Sequence, residues 1–444
     1  MAQAKLKLTF CFTALLTCLL VFSVNARAGF IRDAEVERLL WDYTNPLVGA
    51  AGLNRNNLQI GVISDPRINA FVAGGQNIFF HTGLITEAEE PNMVIGVIAH
   101  ELGHITGGHL ARSGEAMARA SRPALIATIL GLGSLLGGAP DLGMALITGG
   151  QQLSLASYLT YSRAQEASAD QTALRLLDAT HQSARGIIDL MNSLADQEIL
   201  SEASQDPFMR SHPMSRDRVH AYEASAKKSP YFNTRDPAEL QFRHDMVKGK
   251  LDGFINHPQS VLRARKSDSA PDRYARAIAL HRLAQREESI ALIDGLLADF
   301  PENPWLWELR GQVLYESGLV EEAIPSYRKS LVYAPREPLL MIGLAASLMA
   351  TDQNTSTPRY NEEVITLLRD TLRIETDNVP AYMQLSKAYG QSGDIGLAEW
   401  AVAEYYALRG DRSAIQHAQK AIKLLKPGQS ERLRALDIAN SDFR

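Results

Sequence analysis

The chain has 444 residues, of which 45% are apolar and 21% charged, and its formal net charge is −5. That length supports two or three domains with substantial cores. The acidic balance argues against nucleic acid as a partner and, more weakly, against an anionic membrane surface as the main one.

Residues 1–28 place Lys5 and Lys7 ahead of the apolar run Leu8 to Val24, followed by Ala26-Arg27-Ala28. This is the pattern of a secretory signal peptide cleaved after Ala28. An uncleaved anchor is the alternative, because the run is nearly long enough to span a bilayer. A lipoprotein is disfavoured, since Cys18 lies deep in the run behind Thr17. Both cysteines, Cys11 and Cys18, fall in this segment, so the mature chain would have no disulfide and no thiol nucleophile. Losing Lys5, Lys7 and Arg27, and no acid, takes the formal charge from −5 to −8.

Asp33 to Tyr43 has Val36, Leu39, Leu40 and Tyr43 on one face, an amphipathic helix with Asp33 as its cap. Leu58 to Ile63 reads as a strand ended by the turn signal Asp65-Pro66. Ile68 to Ala73 is a second strand, Gly74-Gly75 a hairpin turn and Ile78 to His81 a third strand. An extended peptide could add to the edge of such a sheet, held by main-chain hydrogen bonds whatever its side chains. The other reading is a small sheet that only supports the next helix.

That helix carries H-E-x-x-H as His100, Glu101 and His104, with Val94, Val97 and Ile98 before it at helical spacing. His100 and His104 project from one face, one turn apart, so two imidazole nitrogens can reach one ion at about 2.0–2.1 Å. Glu101 is rotated about a quarter turn away and is well placed to take a proton from an attacking water. Burying three ionisable side chains in an apolar helix is costly unless a metal or a cleft receives them. The extended pattern with a histidine six residues after His104 is absent, because that position is Leu110. His109 lies beyond Gly107-Gly108 and almost opposite the required direction, and reads as structural.

Residues 123–147 are apolar but rich in glycine, and Gly138 to Asp141 interrupts any spanning run. They read as a helical hairpin packed on the catalytic helices, or as a mobile apolar lid or membrane-facing loop over the cleft. Tyr161 to Asp170 is helix-compatible and sets Glu166 and Asp170 at i and i+4. One could bind the ion while the other orients a ligand imidazole, although the spacing alone fits a solvated face equally well. Two histidines and one carboxylate would leave a fourth place open, as catalysis requires. His212, followed by Pro213, belongs to a loop.

From Asp217 to about Lys250 the chain is charged and helical, and residues 258–271 read as a linker. Pro301 and Pro335 are then 34 residues apart, the tetratricopeptide period. Trp307, Gly311, Leu314, Ala323 and Tyr327 fall at its interlocking positions, and Tyr382, Tyr389, Gly393 and Ala398 repeat the pattern. Tyr274 to Phe300 gives the first copy, the insert 351–361 splits the third, and Ala401 to Leu425 reads as a divergent last hairpin. Stacked hairpins bury one continuous core and curve into a concave face that ordinarily binds a partner's peptide or helix.

H-E-x-x-H followed about sixty residues on by E-x-x-x-D resembles the gluzincins of the HtpX type. The likeness extends upstream through Ile68 to Ile85 and downstream to Ser211-His212-Pro213. With the export signal and the repeats added, the whole chain is similar to periplasmic members that enhance β-barrel assembly in Gram-negative bacteria. The resemblance implies Zn2+ held by His100, His104 and Glu166, Glu101 as catalytic base and Asp170 orienting a histidine ligand. It makes Asn69, Ala70, Phe71 and Val72 the substrate edge strand. It implies that His212 fills the fourth zinc position until substrate displaces it, or else assists the transition state. Relatives with a disulfide in the repeats differ from this chain, so redox control is not carried over.

The expected architecture is mainly α. A signal peptide (1–28) precedes a zincin-type α+β metalloprotease domain with a small β-sheet (29–257). The linker (258–271) leads to an α-solenoid of tetratricopeptide repeats (272–444). The expected function is periplasmic zinc endopeptidase acting on unfolded or stalled outer-membrane β-barrel proteins. The repeats would dock the β-barrel assembly machinery, and residues 123–147 are a candidate peripheral membrane contact. The alternative is a repeat-based scaffold or chaperone with a structural or mostly closed metal site.

Overall fold

The computed structural model describes residues 29–136, 140–195, 205–213, 215–352 and 359–441. The expected signal segment, part of the break at 138–141 and most of the insert at 351–361 lie outside the described residues.

A short strand β1 (Phe30–Ile31) leads into α1 (Ala34–Ala50), where the Asp33 side chain accepts from the Val36 N–H as the expected cap. The face built from Val36, Leu39, Leu40, Tyr43 and Leu47 is buried. Strands β2 (Gln59–Ile63), β3 (Ala70–Ala73) and β4 (Asn77–His81) complete a four-stranded sheet in the order β1-β2-β4-β3. β2 runs parallel to β4, and β3 is antiparallel to β4 with Ala70 opposite Phe80 and Ala73 opposite Asn77. β3 therefore forms an edge of the sheet.

After α2 (Thr82–Glu87) comes α3 (Pro91–Thr106), which carries the H-E-x-x-H sequence. Proline at its first position lacks the N–H that a helix start cannot pair, and Asp236 accepts the next one, from Asn92, at 2.8 Å. The Asn92 amide donates to the Ser183 carbonyl at 2.7 Å and accepts from Gly186 N–H at 2.9 Å. It thereby fixes α3 to the start of α6 (Arg185–Ala195). Between them, α4 (His109–Leu136) and α5 (Pro140–Ala179) form a long hairpin whose far part exposes Leu125, Ile126, Ile129, Met144 and Leu153. The apolar stretch 123–147 is thus largely helical, as expected, but much of its apolar surface faces solvent. No described helix is long and apolar enough to cross a membrane.

α7 (Pro207–Ser211) ends just before His212, α8 (Arg216–Ala226) follows, and α9 (Ala238–Ile255) links the two halves of the molecule. Val247 and Leu251 of α9 join the core shared by α1, the sheet, α3 and α5, whereas Met246 packs with Tyr274, Ile278 and Leu306. The segment expected as a linker contains the short helix α10 (Pro258–Ala264), whose Val261 packs on Ala275 and Ala279.

Five hairpins follow: α11 (Ala270–Arg282) with α12 (Arg286–Asp299), α13 (Pro304–Glu316) with α14 (Val320–Tyr333), and α15 (Pro338–Thr351) with α16 (Asn361–Ile374). The last two are α17 (Val379–Gln391) with α18 (Ile395–Leu408), and α19 (Ser413–Leu424) with α20 (Ser430–Ala439). Consecutive hairpins share apolar clusters, such as Leu314, Ala323, Leu344, Leu368 and Leu385, in a tetratricopeptide solenoid. The last hairpin spans 413–439, not 401–425: Ala401 belongs to α18, and the chain turns at 409–411, where Asp411 caps Ser413 N–H at 2.8 Å.

The solenoid closes against α1. Arg32 pairs with Glu375 at 2.8 Å, and the buried Lys250 ammonium lies 2.7 Å from Asp33, 3.3 Å from Glu35 and 3.4 Å from Glu308. Tyr274 donates its hydroxyl hydrogen to Glu35 at 2.9 Å. Burial, only partly offset by Lys250, pushes the Glu35 carboxyl up from 4.5 to about 7. Burial and the neighbouring Glu37, Glu375 and Glu308 do the same to Glu337, also to about 7. A carboxyl raised on folding stabilises most below its unfolded value of 4.5, and that contribution is lost as pH rises through about 7. The thermal midpoint should therefore fall between pH 5.5 and 8. Glu337→Gln should raise it at pH 8 by roughly 2–4 °C and flatten the slope, as read by calorimetry at both pH values.

Candidate metal centre

The site is built where α3 and α5 touch main chain to main chain. A Cβ at Gly103 would lie 2.7 Å from the carbonyl oxygen and 2.8 Å from the Cα of Ala169, so only glycine admits this approach. The contact brings Glu166 and Asp170 of α5 to the histidines one turn apart on α3.

Single donor atoms of His100, His104, Glu166 and His212 all lie within 4.8 Å of one another, and these four could hold a metal ion. His100 Nε2 is 3.0 Å from His104 Nε2 and 3.2 Å from His212 Nδ1. Glu166 reaches each imidazole at 3.1–3.4 Å. Ligands at about 2.0–2.1 Å around a tetrahedral ion stand roughly 3.3 Å apart, so the spacing of these atoms fits one cation among them. The donor chemistry fits too: lone pairs of imidazoles and a carboxylate converge, and a centre of positive charge relieves their crowding.

Around these donors stand residues that face them without joining them. Asp170 Oδ1 lies 2.9 Å from His100 Nδ1, which leaves Nε2 for the cluster. Arg218 grips Asp170 with both prongs, at 2.7 and 2.8 Å, and reaches Glu166 at 3.0 Å. Burial raises the Asp170 carboxyl, but Arg218 and His100 outweigh it and hold the group at about 2. Burial likewise opposes ionisation of Glu166, and His100 and His212 overcome it, lowering its pKa. Glu101 is 1% exposed, sits 3.3 Å from His212 Nε2 and is no member of the donor group. Burial pushes its carboxyl up, against smaller opposing effects from His212, His100 and the main chain of Val72.

The sequence-expected residues therefore assemble. His100, His104 and Glu166 converge, Asp170 stands behind His100, Glu101 lies to the side, and His212 enters the fourth corner from the end of α7. Of the expected edge strand, Ala70, Phe71 and Val72 are in β3, and Asn69 precedes it, its carbonyl accepting from His81 N–H at 3.0 Å. One residue escaped the sequence reading: Arg218, hidden among the charges of its helix. His109, read from the sequence as structural and directed away, instead faces His104 at 3.0 Å.

Comparison with known proteins agrees with this geometry. The model of Peptidase family M48 matches residues 32–226, the segment holding every residue named above. Residues 32–226 form an M48 peptidase domain. The chain is accordingly a metalloprotease. The chain is 24% identical over 331 residues to "Beta-barrel assembly-enhancing protease" of Yersinia pestis, covering 73% of this chain and 68% of that one. The protein of the same name from Escherichia coli (strain K12) is 24% identical over 438 residues, covering 96% and 85%. Among solved structures, that of MamA aligns with 37% of this chain and 90% of its own at 19% identity, with a TM-score of 0.29. The repeat assignment rests on the helix packing described above.

Proposed function

We propose that this chain is a zinc-dependent endopeptidase of the periplasm that cleaves misassembled or stalled outer-membrane β-barrel proteins and assists their assembly. The observation that carries the reading is the convergence of His100, His104 and Glu166 with Glu101 beside them. The names of the relatives support β-barrel substrates and an assembly role. Two imidazoles and a carboxylate are a usual zinc donor set for peptide hydrolysis. Zinc held there would supply polarisation of the scissile carbonyl and a water acidic enough to react near neutral pH. Glu101 takes the proton of the attacking water and returns it to the leaving amine. Asp170 and Arg218 keep His100 and Glu166 in line. The edge of β3, beside α3, receives the extended substrate along Asn69 to Val72. The repeats recruit the β-barrel assembly machinery, and the exposed apolar row on the α4–α5 hairpin is the candidate contact with unfolded substrate or a membrane surface.

A second reading, a scaffold or chaperone whose metal site stays closed, is favoured by one observation: His212 Nδ1 stands 3.2 Å from His100 Nε2, in the corner a substrate would need. On the proposed function His212 is a removable plug. His212→Ala should then raise basal cleavage of an unfolded β-barrel protein, whereas lower cleavage would make His212 a participant in the reaction. Elemental analysis of the purified protein should find about one zinc per chain. A chain without stoichiometric transition metal would overturn the proposal.

A further inference from the structure

We infer that His109 is a positioning residue: its imidazole accepts the Nδ1 hydrogen of His104 and so sets the tautomer in which His104 Nε2 faces the donor cluster. The inference rests on the metal reading above. His109 Nδ1 and His104 Nδ1 are 3.0 Å apart, with the rings edge to face at 4.9 Å. Two nitrogens at that distance share one hydrogen. For His104 to offer the lone pair of Nε2 to a cation, its own hydrogen must sit on Nδ1. His109 must then present a lone pair at Nδ1 and carry its hydrogen on Nε2. Each α3 histidine would thus be held from behind: His100 by a carboxylate, His104 by a second imidazole.

The local backbone is shaped for this contact. α3 stops at Thr106, Gly108 takes a φ of +60°, and α4 begins at His109, which folds back under the end of α3. A Cβ at Gly107 would lie 2.4 Å from His109 Nε2, so the ring occupies space that only glycine leaves open. His109 is 6% exposed, and the Gln165 amide donates to its carbonyl at 3.4 Å, linking the turn to α5 one residue before Glu166. His109 contacts none of the other three donor residues through a hydrogen bond, which separates it from the ligands themselves.

The test is zinc titration of the metal-free full chain against a competing chromophoric chelator, with thermal midpoints of the metal-free proteins measured in parallel. His109→Leu should weaken zinc binding by roughly 10–100-fold with the metal-free midpoint little changed. His109→Asn, whose Oδ1 can sit where Nδ1 was and accept the same hydrogen, should recover most of the loss. Gly107→Ala, which crowds the ring without removing it, should weaken zinc in the same direction and carries the test if His109→Leu does not fold. Parent-like affinity in both His109→Leu and Gly107→Ala overturns the inference. Equal losses in His109→Leu and His109→Asn also overturn it, because they would make the ring only a packing element. If the parent itself binds no zinc, the metal reading fails, and this inference with it.

Discussion

Replacing Glu101 by glutamine is expected to lower hydrolysis of an unfolded β-barrel substrate by roughly 10²–10⁴-fold while zinc content stays at the parental level. The reason is positional. Glu101 is on the metal helix but outside the donor group, 3.3 Å from His212 Nε2. Glutamine keeps the size of the side chain and a partner for His212, but it cannot take up a proton. Burial already raises the Glu101 carboxyl toward the working pH, which suits a group that must accept a proton and then release it. Elemental analysis and a gel-based cleavage assay separate the outcomes. Parental cleavage by the variant would refute the base assignment, and loss of zinc together with activity would make Glu101 a holder of the ion.

Arg218→Leu is expected to destabilise the metal-free protein by about 3–5 kcal/mol, because it leaves two buried carboxylates short of their cation. Asp170 and Glu166 are 7% and 5% exposed, and the Arg218 guanidinium pairs with both. Arg218→Lys should recover only part of the loss, since an ammonium cannot reproduce the two-pronged grip on Asp170. Denaturant unfolding with a chelator present measures the effect, and added zinc should restore part of it by binding the folded state alone. An Arg218→Leu midpoint equal to that of the parent would show that solvent, not Arg218, balances these charges.

Much of the candidate site's geometry was legible in the sequence because it is periodic. Four-residue spacing sets His100 over His104 and Glu166 over Asp170, and a helix converts such spacing directly into a shared face. The repeats were legible for the same reason, their 34-residue period recurring in proline, glycine and aromatic positions. What spacing cannot convey is which helices meet. Gly103 appears in the sequence as one unremarkable residue inside the motif, yet it permits the contact with Ala169 that joins the two pairs. Arg218 could not be singled out from Arg216 or Asp217 by local pattern, since only its place opposite Asp170 distinguishes it. The order of the sheet was likewise hidden, because β1 is two residues long and β2 pairs directly with β4, which follows it in the chain only after β3. The final hairpin was misplaced because α18 and α19 are both rich in alanine, and the turn at 409–411 carries a weaker signal than the apolar pattern around it.

The ammonium of Lys250 has counter-ions from both halves of the molecule: Asp33 and Glu35 on one side, Glu308 on the other. Cutting the gene near codon 258 would therefore not yield two well-behaved pieces. The front piece would bare Met246 and part of a formerly sheltered cation, and the rear piece would bare Glu308, Tyr274 and Leu306. Anyone dissecting this protein would do better to silence one half by point substitution than to express it without its companion.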